Sequence, residues 1–206
     1  MSGMIGRKIG MTQVYTTGNQ AVPVTLIEAG PCVVVQVKTR KRDGYDSIQL
    51  GFLDGKPGKV NKPMAGHFAA AKTSPKKVLR EFRVEDASGF SAGQTVTADL
   101  FKPGELVKIT GVSKGKGTAG VVKRHGFHGG PATHGQTDRT RRAGAVSSGS
   151  SPGRVFPGKK MAGRMGNRTF SLRNVKIERV DAEKNLIAVK GRVPGAATGI
   201  LTIHKQ

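Results

Sequence analysis

The sequence predicts a mainly β protein, either a barrel or a sandwich, that is interrupted by one long basic segment. Short stretches of alternating apolar residues recur at a spacing of roughly 8–12 residues with turn residues between them, as in all-β domains. Only one stretch favours a helix. Residues 111–170 lack this alternation, and the remainder of the 206 residues is long enough for one hydrophobic core.

Six stretches before the basic segment follow the period of two that is typical of strands. They are residues 21–28, 32–39, 45–52, 76–85, 95–97 and 105–110. Pro23 favours an edge strand or the start of a strand for the first of them, because proline cannot donate to a ladder. In the second, the alternation predicts that Val33, Val35 and Val37 share one face.

Two further stretches in this half of the chain have a less regular pattern. Residues 4–15 give a weaker signal, a strand or a tight turn, because glycines interrupt the apolar residues. Residues 64–71 favour a short helix that begins at Asn61 or Lys62 and ends before Pro75.

Two hairpins are predicted from turn residues that lie between strands. The first turns at residues 40–44, whose basic tip is either solvated or in contact with a phosphate. The second joins residues 171–180 to 186–190, and residues 199–204 form the closing strand. Because strands precede and follow the basic segment, we interpret it as an insertion in one β domain, with its two ends close together.

The basic segment, residues 111–170, carries half of the net charge of the chain. It contains twelve Lys and Arg residues and one acid, Asp138, so its formal charge is +11 of a total of +22. Fourteen of the 30 glycines also lie there. Such a composition cannot bury enough apolar surface to offset the entropy of ordering the segment, so we expect disorder or folding against a polyanion.

The composition of the whole chain favours a nucleic acid as that polyanion. A pI near 10.8 with basic residues throughout is typical of proteins that bind nucleic acid or an anionic membrane. No stretch approaches the roughly 18 apolar residues of a membrane span, and the first residues lack the apolar core of a signal peptide. We therefore expect no membrane partner. Cys32 is the only cysteine, which predicts a buried structural thiol in a reducing cytoplasm.

The glycine-rich motif SKGKG does not fit a nucleotide pocket. Residues 115–120 match G-x-G-x-x-G, but a dinucleotide site also needs a crossover helix and a second strand that carries the acid. The residues before Asp138 contain no strand signal, and Lys116 stands where the Walker A pattern requires a glycine. We expect no nucleotide cofactor and no small-molecule substrate. The glycines and lysines suit nucleic-acid phosphates instead.

Metal binding and catalysis are poorly supported. His125, His128 and His134 have no cysteine and only one carboxylate nearby, so we expect no metal and no other cofactor. Neither a nucleophile elbow nor a carboxylate pair is found, so we expect no catalytic residues. The alternative, from a different class, is a nucleic-acid-modifying or nucleotide-binding enzyme that uses SKGKG and the histidines.

We predict that the basic segment binds RNA through its cations and through the residues around its histidines. Arginine can fork onto phosphates and stack on bases. For the histidines and the phenylalanine between them, stacking on RNA bases and plain loop spacing both remain open. The predicted RNA-binding residues are Lys114, Lys116, Lys123, Arg124, His125, Phe127, His128, Arg139, Arg141, Arg142, Arg154, Lys159, Lys160, Arg164 and Arg168.

The run GVSKGKGTAGVVKRHGFHGGPATHG, followed by PGRVFPGKKMAGRMGN, resembles the universal large-subunit ribosomal protein three family in its bacterial form. The opening MIGRKIGMTQVY and the closing VDAEKNLIAVKGRVPG resemble the same family, so the likeness covers essentially the whole chain. It implies a globular domain around a six-stranded β-barrel, residues 1–111 and 171–206. It also implies a glycine-rich, basic extension with little regular structure, residues 112–170.

The resemblance also implies a function. Such a protein is a non-enzymatic constituent of the large ribosomal subunit that binds large-subunit ribosomal RNA directly, supports early assembly and touches neighbouring large-subunit proteins. Residues 126–161 would run through the RNA toward the peptidyl transferase centre. Residues 113–116, 123–128 and 159–165 would contact RNA at the base of the extension, and residues 141–154 would form its tip and flanks.

Two positions depart from the pattern of this family. Lys108 stands where members usually carry Asp or Asn, and the stretch Ser147 to Ser151 lacks the glutamine that is methylated in some bacterial members. We therefore expect a mass spectrum of the native protein to show no methylation between Ala145 and Gly153.

Overall fold

A computed structural model describes residues 3–15 and 18–206. Three α-helices occur within these residues: α1 Arg40–Asp43, α2 Lys62–Ala70 and α3 Val121–His125. The strands are β1 Gly3–Tyr15, β2 Ala21–Ala29, β3 Cys32–Lys38, β4 Ser47–Asp54, β5 Lys76–Arg83, β6 Thr95–Val96, β7 Leu106–Val112, β8 Thr118–Ala119, β9 Gly163–Arg164, β10 Thr169–Asp181, β11 Leu186–Lys190 and β12 Ile200–Lys205. The mainly β class predicted from the sequence is confirmed.

The chain divides into two compact units. Unit 1 comprises Met1–Val112 and Thr169–Gln206, and unit 2 comprises Ser113–Arg168. The strands that flank unit 2 in the sequence are β7 and β10, and they are paired so that Val112 faces Thr169. Unit 2 is therefore an insertion whose two ends leave neighbouring strands.

Six strands of unit 1 close into an antiparallel barrel in the order β1, β12, β7, β10, β11, β2. Strand β7 shows how the sequence dictates this arrangement, because Val107, Ile109 and Gly111 are buried while the residues between them are more exposed. In β12, Leu201 and Ile203 are likewise buried and alternate with more exposed residues. The six-stranded barrel that the family resemblance implied is confirmed, and the sandwich is not formed.

Glycines occupy crowded positions inside the barrel. A Cβ atom added to Gly6 would lie 2.7 Å from Ile27 Cγ2, and one added to Gly111 would lie 2.6 Å from Leu201 Cδ2. Gly6, one of the two glycines that interrupt the apolar pattern of residues 4–15, is thus a core position, which explains part of the weak strand signal. Pro23 is the third residue of β2 and pairs with Gln13 of β1, so the strand begins two residues before the proline rather than at it. The pairing of β2 with β11 begins only at Val24, after the residue that has no N–H to donate.

A second sheet, with the order β5, β4, β3, β6, completes unit 1. Helix α2 packs against it through a small apolar cluster of Val35, Phe68 and Ala71. The helix begins where the sequence predicted, because the Asn61 side chain accepts a hydrogen bond from the N–H of Met64 (3.1 Å).

The predicted face of strand β3 is wrong. Cys32 and Val34 are buried in the main core, whereas Val35 belongs to the cluster under helix α2. A bulge between Val34 and Gln36 changes the alternation, and Val37 therefore packs against the main core on the same side as Cys32. A bulge of this kind leaves no mark in the apolar pattern.

Cys32 is a structural thiol, as predicted. Its Sγ donates a hydrogen bond to the carbonyl of Ile5 (3.5 Å), and burial raises the pKa of the thiol to about 11. The side chain therefore remains protonated and unreactive at neutral pH.

The first hairpin is confirmed, but its tip is a short helix rather than a tight turn. Helix α1 joins β3 to β4 and ends at Gly44, which has a left-handed φ of 84°. The side chain of Asp46 accepts a hydrogen bond from the N–H of Arg40 (2.9 Å). No side chain of the helix is buried, so its cations are exposed.

Unit 2 contains little regular structure. Strands β8 and β9 form a two-residue ladder, and α3 is a single helical turn and a half. Every residue from 144 to 162 is exposed to solvent. Neither the ladder nor α3 was predicted from the sequence.

Candidate nucleic-acid interface

Unit 2 concentrates positive charge with almost no internal compensation. All twelve cations of the basic segment lie in it, together with the single acid Asp138. Asp138 makes two long ion pairs, at 3.8 Å to Arg139 and 3.9 Å to Arg142. Within the described residues the other ten cations make no ion pair. The unit therefore presents a strongly positive surface to any polyanion.

Four of the predicted residues lie on one two-chain ribbon, residues 113–119 and 163–168. Backbone hydrogen bonds connect its chains, from Ser113 N–H to the Arg168 carbonyl (2.9 Å) and from Lys116 N–H to the Met165 carbonyl (2.9 Å). Thr118 pairs with Arg164 in the short ladder. The ribbon brings together Lys114, Lys116, Arg164 and Arg168, all of which are exposed.

Gly166 permits this close pairing. Its φ is +72°, and a Cβ atom added there would lie 2.1 Å from the carbonyl oxygen of Lys114. Only glycine combines that conformation with that approach. The amide of Lys116, in the middle of SKGKG, is occupied by a partner within the ribbon, so the motif shapes the backbone as well as presenting lysines.

Helix α3 anchors the returning chain. The Arg124 guanidinium donates to the carbonyl of Met161 (2.7 Å), and His125 Nε2 lies 3.0 Å from the same oxygen. Because a carbonyl only accepts, Nε2 of His125 carries the hydrogen in this contact. A Cβ atom on Gly163 would lie 2.7 Å from the guanidinium. Two predicted RNA-binding side chains therefore also stabilise unit 2.

The turn that follows α3 opens into a cleft of about 910 Å³, which we call the His–Phe cleft. Small residues form the rest of its lining, and its lining residues, all described by the structure, include no carboxylate. The rings of His125 and Phe127 lie 6.2 Å apart with an interplanar angle of 47°. Six of the predicted residues line the cleft: His125, Phe127, His128, Arg139, Arg142 and Lys160.

Two glycines close one end of the His–Phe cleft. The N–H of Gly130 donates to the carbonyl of Thr140 (2.8 Å), and a Cβ atom on Gly129 would lie 2.2 Å from the same oxygen. The chains before and after residue 135 are thereby tied together. Sequence reasoning treated these glycines only as loop residues, and the pair Gly-Gly between two histidines was the available signal.

Two further cations, Arg154 and Lys159, follow the serine-rich stretch, residues 147–151, in the sequence. The guanidinium of Arg154 lies 5.5 Å from the ring centroid of Phe156, a cation–π contact. The hydroxyl of Ser147 donates to the Arg154 carbonyl (3.2 Å). Lys159 shares a small cleft of about 170 Å³ with these residues. Arg141 is exposed outside these groups, and Lys123 is exposed on helix α3.

In the part of the chain that the structure describes, residues 115–120 and Asp138 are not arranged as a dinucleotide site requires. The helix after residues 115–120 is only five residues long, and Asp138 lies in an exposed turn. In residues 3–15 and 18–206, no group of three or more His, Cys, Asp or Glu side chains could hold a metal ion. None of the helices in the same ranges has the length and apolar character needed to cross a membrane.

Unit 1 carries a second basic cleft that the sequence reasoning treated as a plain loop. It has a volume of about 590 Å³ beside the start of α2, and Lys56, Lys59, Lys76 and Lys77 contribute to its lining. Lys76 pairs with Asp54 at 2.6 Å and holds the pKa of that carboxyl below its usual range. The repeated lysines of DGKPGKVNKP were the signal for this cleft.

Comparison with known proteins links both units to one family. The sequence profile described as ribosomal protein L3 matches residues 82–188. The large ribosomal subunit protein uL3 of Herpetosiphon aurantiacus is 49% identical over 205 residues, which cover 100% of this chain and 96% of that protein. The uL3 protein of Carboxydothermus hydrogenoformans is 50% identical over 203 residues, 98% of this chain and 96% of that protein. The uL3 protein of Corynebacterium jeikeium is 49% identical, with 98% and 93% covered.

Proposed function

The chain belongs to the uL3 family of large ribosomal subunit proteins, and from this premise we propose that it binds large-subunit ribosomal RNA directly. It is a structural constituent of the large subunit and is located on the ribosome in the cytoplasm. In this proposal it acts without catalysis or cofactors, and its RNA-binding part is unit 2.

One observation carries the proposal: ten of the twelve cations of unit 2 have no ion-pair partner in the described residues. A surface of this kind gains free energy when phosphates replace its counterions. The cations lie on the ribbon, on helix α3, in the His–Phe cleft and in the small cleft of Arg154 and Lys159. The RNA contacts are therefore many and mostly to the backbone, with little reading of base sequence.

The proposal includes the course of the chain in the ribosome. Residues 112–170 act as the RNA-penetrating extension, and residues 1–111 and 171–206 form the barrel domain that seats it. The stretch 126–161 reaches toward the peptidyl transferase centre and supports early assembly. The exposure of every residue from 144 to 162 supports this role, because such a stretch has room to be surrounded by RNA.

Binding to large-subunit ribosomal RNA as a function of salt tests the proposal. If about 6–10 phosphates are engaged, the affinity falls by roughly 10³–10⁵-fold between 50 and 200 mM salt. We expect the protein also to sediment with large subunits. A shallow salt dependence, or saturable binding of ATP or NAD at physiological salt, would favour the enzyme alternative instead.

A further inference from the structure

The walls of the His–Phe cleft are connected by hydrogen bonds within unit 2. One wall, residues 125–130, is tied to the second, residues 139–145, by the bond from Gly130 N–H to the Thr140 carbonyl (2.8 Å). The third side is Lys160, whose neighbour Met161 accepts hydrogen bonds from Arg124 and His125 (2.7 and 3.0 Å). These few hydrogen bonds define the shape of the cleft, and bound RNA would hold it in that shape.

The lining combines positive and aromatic side chains. Arg139, Arg142 and Lys160 supply three cations. The only acid in unit 2, Asp138, reaches two of them at 3.8 and 3.9 Å, with both partners at least 68% exposed. Contacts this long and solvated give way readily to a phosphate.

The aromatic side is a ring that is already oriented. Phe127 is half-buried and lies against His125, whose own position is fixed by its bond to Met161. Six glycines and alanines supply half of the lining, so the cleft beside the ring has room for a ligand. An aromatic ring that lines a cleft together with cations suits a nucleobase with its attached phosphate.

We propose that the His–Phe cleft receives one unpaired nucleotide of the ribosomal RNA, with its base stacked on Phe127 and its phosphate held by the three cations. The inference rests on the proposed function and specifies the form of RNA that this site takes. A volume of about 910 Å³ is within the range of small-ligand sites, about 300–1,000 Å³, so a single nucleotide fits. A paired base has no exposed face to offer.

The ligand is a nucleotide of a longer RNA, not a free one. Six of the twelve lining residues are glycine or alanine, and the proposal assigns the three cations to the phosphate, so His125 and His128 are the polar side chains left to read the edge of a base. Much of the attraction must therefore come from phosphates bound elsewhere on unit 2, which a free nucleotide lacks.

Two substitutions of Phe127 distinguish stacking of its ring on a base from simple apolar packing of its side chain. Phe127→Leu keeps an apolar side chain but removes the ring, and Phe127→Tyr keeps the ring. With a transcript of large-subunit ribosomal RNA, we expect Phe127→Leu to weaken binding by roughly 5- to 100-fold, the range for loss of one stacked base. Phe127→Tyr stays within about twofold of the wild type. Phe156→Leu, an exposed ring outside the cleft, serves as the matched control.

Chemical probing and crosslinking identify the nucleotide. Ultraviolet crosslinking of the wild-type complex should join the peptide around Phe127 to an unpaired nucleotide. That base should be protected from chemical modification by the wild-type protein and become reactive again with Phe127→Leu. Adenosine monophosphate alone should show no saturable binding to the wild-type protein at physiological salt.

Each contrary result has a distinct meaning. A crosslink to a base-paired nucleotide, saturable binding of adenosine monophosphate, or equal affinity and base reactivity of wild type and Phe127→Leu would overturn the inference. In those cases a steep salt dependence of the wild-type affinity would leave the proposed function standing. If the wild-type protein does not bind the RNA at all, both fail. The crosslink uses only wild-type protein, so the test holds even if a variant does not fold.

Discussion

The two units of this protein differ in how far their cations are balanced by acids within the same unit. Unit 1 holds 23 of the 35 Lys and Arg residues together with twelve of the 13 acids, and it makes five ion pairs among its described residues. Unit 2 holds the remaining twelve cations and one acid. The first unit balances part of its charge internally, whereas the second leaves its charge for a partner.

The same contrast appears in the apolar residues. Unit 1 contains two hydrophobic clusters, and the larger one joins the barrel to the second sheet. In unit 2, the buried apolar residues among those that the structure describes are Ala119 and Val121. Since burial of apolar surface is the main favourable term in folding, unit 1 supplies its own stability and unit 2 depends on hydrogen bonds, glycines and, in our proposal, RNA.

The largest expected effect concerns the core of unit 1. Ile109→Ala removes a fully buried side chain and should lower the free energy of unfolding by about 2–5 kcal/mol, measured by urea denaturation. Val146→Ala in unit 2, where the side chain is 43% exposed, should change it by less than about 0.5 kcal/mol. Similar losses from the two substitutions would remove the energetic distinction between the units.

The second effect concerns the cations of unit 2. Replacement of Arg141, Arg142 and Arg154 by Gln should reduce the salt slope of RNA binding by about 2–3, because each loses roughly one phosphate contact. The free energy of unfolding should change little, since all three side chains are exposed.

A matched triple substitution in unit 1 sharpens this comparison. Arg40, Lys41 and Arg42 in helix α1 are equally exposed, and their replacement by Gln should change the slope less. An equal loss of slope would show that the hairpin tip also contacts phosphates. If instead the unit 2 triple unfolds the protein while RNA binding persists, the roles assigned to the two units are reversed.

The barrel could largely be predicted from the sequence because its signal is local. Strands such as β7 alternate buried and exposed residues, and the turns between them contain Gly, Pro or Asn. Closure of the barrel was not visible in that pattern, and the family resemblance supplied the number of strands. The prediction of which β3 residues share a face was wrong, because one bulged residue shifts the alternation without any change in composition.

The interface could be predicted in composition but not in geometry. The cations and the SKGKG motif distinguished the basic segment from the rest of the chain. The ribbon could not be predicted, because it depends on pairing between Ser113 and Arg168, which are 55 residues apart. The His–Phe cleft likewise depends on Gly129 approaching Thr140. Such contacts between distant glycine-rich stretches have no periodic signature, so they cannot be recognised in a single sequence.

A third prediction tests the ribbon directly. Gly166→Ala forces a side chain into a left-handed conformation and against the Lys114 carbonyl, at a cost of about 1–3 kcal/mol for the conformation alone. Hydrogen exchange at the amide of Lys116, which donates to Met165, should accelerate accordingly. Gly115→Ala is the control, because its nearest neighbour, Asn167 Cβ, lies at an ordinary 3.6 Å. Equal acceleration in both variants would mean that Gly166 has no special role.

The smallest expected effect is the acid sensitivity of the ion pairs in unit 1. Lys38 donates to Glu81 at 2.5 Å and holds the pKa of that carboxyl below its usual value of 4.5. The stabilisation is therefore fully present above pH 4.5 and is lost as the pH falls through the lower pKa of the folded state. Glu81→Gln should flatten the decline of unfolding free energy in that window. A decline as steep as in the wild type would exclude this pair as a contributor.

The comparison of the two units is tested most directly by hydrogen exchange on the full-length protein, free and bound to large-subunit ribosomal RNA. We predict that the barrel strands, such as β7 and β12, are protected in both states. Residues 126–160 should exchange rapidly and be cleaved readily by proteases in the free protein, and become protected in the complex. Equal protection of residues 126–160 in the two states would contradict the account.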